Sequence, residues 1–179
     1  MQSNALQWED LVDLDPSPDH VVVTKDRTTE FIFVPPTAPG PQRDLAARTI
    51  SKVNLAELRF TGPQYDAYEQ SAWVWLARAN NKAIGFSVVR LQEVLWAPSW
   101  AQYDSRQEPP RLKAAPLRWS IDLVWVFSER RRRGVAWALL EAAAKELSCV
   151  VADFAWAHPL SSDGEALARA CSPDFVLIS

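Results

Sequence analysis

The chain has 179 residues, 48% of them hydrophobic, and its 19 basic and 22 acidic side chains leave a formal net charge of -3. That length and apolar content suit one folded domain and exclude disorder of the whole chain, while the net acidity excludes a general nucleic-acid binder, which would be basic overall. Two cysteines (Cys149 and Cys171) and two histidines (His20 and His158) cannot assemble a zinc site of the usual Cys/His kind, so no metal is expected, and reduced thiols in a cytoplasm-like compartment are.

Residues 1–19 read as a loose or helical lead-in ending at Pro16 and Pro18. They are acidic and have no apolar centre of the kind a signal peptide carries. No stretch approaches the roughly 18 apolar residues of a membrane span, so a cytoplasmic protein without a membrane partner is expected. Residues 20–179 then read as a single domain. HVVVTK (20–25) and TEFIFV (29–34) are β-branched and aromatic, with Asp26-Arg27-Thr28 as a hairpin loop between them. Prolines at 35, 36, 39 and 41 break the chain, and the spacing of Leu45, Ile50, Val53 and Leu58 predicts an amphipathic helix over 42–58.

AWVWLAR (72–78) reads as a buried strand, Asn80-Asn81-Lys82 as a turn, and residues 83–94 as the returning strand. Residues 97–118, rich in proline and polar groups, read as a long loop or insertion. WSIDLVWVF (119–127) is a strong strand and 134–147 a strong, Ala-rich helix. VVADFAWA (150–157) is expected as a strand, 163–170 as a short helix, and DFVLI (174–178) as a closing strand. The order predicts an α/β sandwich around a mixed sheet.

Four arginines, Arg130 to Arg133, lie between the 119–127 strand and the 134–147 helix. A strand, a short turn and a helix present unpaired N–H groups that favour an anion. Gly134 and Ala136 are small enough to let a ligand approach the backbone, and arginines add charge-assisted bonds to phosphate oxygens. The alternative is a basic helix start exposed to solvent, which is electrostatically unfavourable without an anion.

The turn matches the Arg/Gln-x-x-Gly-x-Gly/Ala pyrophosphate loop of the GNAT acetyltransferases. WVFSERRRRGVAWALLEA further resembles the acetyl-CoA motif of the cohesin acetyltransferases, the establishment-of-cohesion family. HPLSSDG and the following short helix resemble that family's ending, and AWVWLARANNKAIGFSVVRLQEV its central hairpin. The resemblance implies a GNAT fold and acetyl-CoA as co-substrate. It assigns the pantetheine arm to the backbone of Val124, Trp125 and Val126. The pyrophosphate turn falls on Arg131, Arg132, Arg133, Gly134, Val135, Ala136 and Trp137, with Ser161 and Asp163 also on the cofactor side. The family's acidic residue falls on His158, and its serine before the strand on Asp122; Glu141 matches a glutamate on the motif helix. The family's zinc finger has no counterpart in this sequence.

These departures leave a workable acid–base set. Transfer of an acetyl group to an amine needs a base, and the ordinary titration range of histidine suits it. Asp122 beside His158 could orient the ring, and the N–H of Val126 is a candidate donor to the thioester carbonyl. The alternatives are a structural role for His158 ahead of Pro159, a local hydrogen bond for Asp122, and a surface position for Glu141. Cys149 reads as core, which disfavours an acyl-cysteine route. The expected function is an N-acetyltransferase acting on a protein lysine by direct transfer. A small-amine acetyltransferase and a non-catalytic acyl-CoA-binding module remain open, because a fold does not decide its substrate. The 97–118 loop is either an acceptor groove or a surface insertion.

Overall fold

The computed structural model describes residues 6–15, 21–26, 28–58, 71–106 and 111–179. Six strands form one sheet in chain order: β1 (Val21–Asp26), β2 (Thr29–Val34), β3 (Trp73–Ala79), β4 (Lys82–Glu93), β5 (Leu117–Val126) and β6 (Ala155–Trp156). The first five run antiparallel in sequence, and β6 lies parallel to β5. The helices are α1 (Gly40–Val53), α2 (Trp100–Asp104), α3 (Val135–Glu146) and α4 (Ser162–Cys171). The mixed α/β architecture expected from the element order is present.

The β3–β4 hairpin turns through Asn80 and Asn81, whose φ angles are 47° and 59°. Two consecutive left-handed residues match the right-handed twist of the strands, and asparagine tolerates that conformation. The core is packed by rings: Phe33 stacks on Trp73 and Trp75, at 5.6 and 5.0 Å between centroids, and Phe86 stacks on Trp125 at 5.8 Å. Against one face lies α3, which buries Val135, Leu139, Leu140 and three alanines. Gly85 allows this close approach. A Cβ there would meet the Trp125 carbonyl oxygen at 3.0 Å and side chains of Leu139 and Val135 at 3.4 and 3.5 Å.

Five sequence expectations change in detail. The described part of the lead-in is anchored rather than loose: Leu6, Leu11 and Leu14 are buried, and the N–H of Leu14 donates to Asn81 at 2.8 Å. Arg78, itself buried, donates to the Leu14 carbonyl at 3.0 Å and pairs with Glu30 across β2 and β3. Helix α1 ends at Val53 and continues as a wider π turn over Asn54–Leu58. Residues 150–157 form a 3-10 turn (Val151–Asp153) and only two residues of strand, because the Asp153 carboxylate folds back to accept from the N–H of Val150 at 3.2 Å.

The fourth change concerns the segment expected as a loop. Ser99 caps α2 by accepting from Gln102, and Trp100 is buried with its indole donating to the Ser172 carbonyl at 2.7 Å. The C-terminal stretch contributes single bridges, Ile178 to Trp96 and Trp156 and Phe175 to Ser99, instead of a full strand. Among the described residues no helix is long and apolar enough to cross a membrane.

Candidate active site

Strands β5 and β6 part almost as soon as they meet. Their only register pairs are Ser120 with Ala155 and Ile121 with Trp156, followed by a bond from the N–H of Ala157 to the Ile121 carbonyl at 3.0 Å. Asp122 and His158 each follow the last residue so engaged, so both stand where the opening begins. Beyond that point β5 continues along β4 alone, as far as Val126 opposite Gly85.

A bulge sits at the same place. Val88 pairs with Leu123 and Val89 with Ile121, which leaves Asp122 as the additional residue of β5. A bulge redirects a side chain from its regular alternation. Asp122 is consequently turned to the face that carries Arg90 and Gln92: Arg90 Nε lies 2.8 Å from one carboxylate oxygen and Gln92 Nε2 donates to the other at 2.9 Å.

The ladder also decides which backbone groups of β5 are open. The N–H of Phe127 donates to Ile84 on β4 at 2.9 Å, and in an antiparallel pair every second residue makes such bonds. Trp125 and Leu123 therefore direct their backbone to β4. Val124 and Val126 direct theirs the opposite way, into the opening. Of the three residues expected to pair with an extended ligand arm, Val124 and Val126 keep the geometry and Trp125 does not. Trp125 instead donates its indole N–H to Glu57 at 2.8 Å.

The four arginines divide into two kinds. The Arg130 guanidinium lies over the Trp8 ring, 5.8 Å from its centroid. Arg131 donates through Nε to the Val126 carbonyl and through Nη2 to Glu57, both at 2.9 Å. Arg132 and Arg133 are exposed. Arg132 has a φ of 59°, and its guanidinium is 3.8 Å from the Asp163 carboxylate. Gly134, at the N-cap of α3, has a φ of 81°, and the space where its side chain would stand is open. No side chain caps α3, so its first N–H groups face outward with the positive end of the helix dipole. Val135 packs down onto the sheet, whereas Ala136 is half-buried and Trp137 is 38% exposed. The outcome is a turn of two exposed guanidinium groups and unbonded N–H groups, suited to a polyanion.

Ser161 and Asp163 lie at the start of α4. The Ser161 hydroxyl accepts from the N–H of Gly164 at 3.1 Å and serves as the helix cap. Asp163, a carboxylate, is unsuited to touching a phosphate directly; its place is beside Arg132. His158 is exposed and approached edge-on by the Tyr103 ring at 6.3 Å. Tyr103 sits on α2, next to Trp100 at 5.5 Å. Burial and the nearby Glu165 push its phenol above the usual tyrosine range. Asp122 and His158 thus share one end of the opening but have different partners, Arg90 and Gln92 for one and Tyr103 for the other. Glu141 is an exposed residue of α3. Burial raises both thiols, Cys149 with a contribution from Asp153 and Cys171 to about 11, so neither is a ready nucleophile at neutral pH.

Sequence reading missed Glu57, Arg90 and Gln92, which carry no local signal; Tyr103 was within reach of it as one of the aromatic residues of the 97–118 segment, read there as a candidate wall of an acceptor groove. Among the described residues no group of three or more His, Cys, Asp or Glu side chains could hold a metal ion.

Residues 115–173, from just before β5 to just after α4, match the family model described as ESCO1/2 acetyl-transferase. Two solved structures of the xEco2 acetyltransferase domain superpose well. The first, bound to a CoA conjugate, has a TM-score of 0.71 at 19% identity, covering 89% of this chain and 96% of that one. The second has a TM-score of 0.66 at 20% identity, covering 89% and 95%. The ribosomal-protein-alanine N-acetyltransferase from Brucella melitensis biovar Abortus 2308 superposes at 0.50 with 15% identity, covering 82% and 92%. At these identities the likeness establishes the fold. No curated protein matches the chain in sequence.

Proposed function

From a β5–α4 segment of the ESCO1/2 acetyl-transferase type, set in a GNAT fold, we propose an acetyl-CoA-dependent N-acetyltransferase that modifies a protein lysine side chain. The observation that carries this reading is the parting of β5 and β6 beside the turn of α3. An opening with exposed strand backbone leads at one end to an anion-binding turn and at the other to His158 and Asp122. Acetyl-CoA has the matching parts in the matching order: a pyrophosphate, an amide-rich arm and a thioester. The protein whose structure superposes best of the three binds a CoA conjugate, and this supports the same donor here.

Arg132, Arg133 and the free N–H groups of α3 would hold the pyrophosphate. The backbone of Val124 and the N–H of Val126 would pair with the amides of the arm, the Val126 carbonyl being taken by Arg131. The order along β5 puts Val124 nearer the end where Asp122 and His158 stand, so its N–H is a better-placed donor to the thioester carbonyl than that of Val126. The acceptor amine attacks the carbonyl carbon and the carbon–sulfur bond breaks. His158 takes the proton from the amine, and the CoA thiolate leaves and is protonated in turn. Asp122, anchored at the bulge by Arg90 and Gln92, stands at the same end of the opening as His158. Holding donor and amine side by side lowers the barrier further.

Calorimetric titration with acetyl-CoA and with free CoA tests the donor. One-site saturable binding is expected; no binding at high micromolar ligand would overturn the reading. An acceptor screen with lysine peptides and polyamines then separates a protein substrate from a small amine.

A further inference from the structure

Glu57 lies 74 residues from Arg131 in sequence and on a different layer of the fold, yet it is central to the turn. Its side chain is 10% exposed. One carboxylate oxygen accepts from Arg131 Nη2 and from the Trp125 indole, at 2.9 and 2.8 Å; the other accepts from the backbone N–H of Leu6 at 3.2 Å. A carboxylate this buried is retained at a cost unless donors surround it, and here three do. Arg131 in turn uses Nε on the Val126 carbonyl at 2.9 Å. Glu57 thereby reaches the last two residues of β5: Trp125 through its ring, and Val126 through Arg131.

We infer that Glu57 and Arg131 are positioning residues for the donor site: the planar fork of Arg131 bridges Glu57 to the Val126 carbonyl and sets the angle at which β5 enters the arginine turn, while Arg132 and Arg133 meet the anion. This rests on the acetyl-CoA reading and deepens it. The arginine that opens the Arg-x-x-Gly-x-Ala motif is then a brace instead of a phosphate ligand. The π turn at the end of α1 has a function as well, because it carries Glu57 to the underside of β5.

A brace and a phosphate ligand differ in which donor they serve. Acetyl-CoA carries the pyrophosphate, and S-acetyl-pantetheine carries only the arm and the thioester. Glu57→Gln and Arg131→Lys should weaken both donors by a similar factor, on the order of tenfold for loss of one charge-assisted bond. Arg132→Ala should weaken acetyl-CoA alone. Lysine retains the charge of Arg131 but lacks the fork that spans two acceptors, so Arg131→Lys separates bracing from simple attraction. Circular dichroism of each variant checks that it is folded.

The inference is overturned if Arg131→Lys binds acetyl-CoA like the parent protein, or if Glu57→Gln changes neither donor. It is also overturned if Arg131→Lys weakens acetyl-CoA but leaves acetyl-pantetheine untouched, since Arg131 would then be a phosphate contact. Failure of the parent protein to bind acetyl-CoA would instead remove the functional reading itself. The two failures are therefore distinct.

Discussion

The proposed donor end of the opening and the proposed catalytic end are built by different means. At the donor end, most of the chemistry belongs to backbone: the N–H groups at the start of α3, the left-handed Gly134, and the outward edges of Val124 and Val126. These come from one continuous stretch of chain. At the catalytic end, side chains from β4, β5, α2 and the segment after β6 converge: Arg90 and Gln92 on Asp122, Tyr103 on His158. A site made of local backbone tolerates change in most side chains. A site made of converging side chains depends on each of them, and on the elements that bring them.

The largest expected effect breaks the donor end. Gly134→Asp should abolish measurable acetyl-CoA binding in calorimetry, a loss of at least about 100-fold, because a carboxylate takes the place where a pyrophosphate oxygen would sit. An acidic residue at a helix N-cap is itself favourable, which offsets part of the strain of a side chain at a φ of 81°, so the fold should persist in thermal unfolding. Unchanged affinity would remove the turn from the donor site.

At the catalytic end, His158→Ala should lower kcat by about 100-fold or more, with the Kd for acetyl-CoA nearly unchanged. A rate within about twofold of the parent at neutral pH would exclude His158 as the base. The contrast between the two variants is the sharpest form of the comparison: one loses donor affinity, the other turnover.

Gly85→Ala tests the scaffold that both ends share. The added methyl would stand 3.0 Å from the Trp125 carbonyl oxygen, and backbone cannot yield as a side-chain tip can. A loss of about 1–3 kcal/mol is expected for forced overpacking, read as a lower midpoint in urea. Activity of the folded fraction should fall with it, because Trp125 is on the strand that forms the opening.

The smallest effect lies away from the opening. Burial holds the Cys171 thiol at about 11, above its ordinary 9.0. The folded state therefore keeps its proton where the unfolded chain begins to lose it. The associated stability is fully present below about pH 9 and is lost as pH rises toward 11, by at most about 1.4 kcal/mol per pH unit. Stability curves of the parent protein and Cys171→Ala should diverge in slope only in that window. Parallel slopes would contradict the assigned burial.

Much of the fold was legible in the sequence because its signals are local. Asparagine at both turn positions, β-branched and aromatic runs in the hairpin strands, and alanine with leucine at helical spacing in α3 each act within a few residues. The same holds for the arginine turn, where Gly134 is needed for a backbone shape that its neighbours alone require. The strand expected at 150–157 and the loop expected at 97–118 were less legible. In the first, a single carboxylate, Asp153, outcompetes strand pairing through a bond three residues back. In the second, Trp100 orders the short helix α2 by burying itself against Ser172 on the far side of the chain.

By itself, the sequence determined the mixed sheet and the anion-suited turn, since these follow from periodicity, glycine placement and residue chemistry along one stretch, while the candidacy of His158 and Asp122 came from the resemblance to the cohesin acetyltransferases. Only the tertiary structure decided that Trp125 turns its backbone away from the opening, that a bulge hands Asp122 to Arg90 and Gln92, and that Glu57 holds Arg131. Strand register and the meeting of residues far apart in sequence are properties of packing in three dimensions, and a linear pattern carries no term for them.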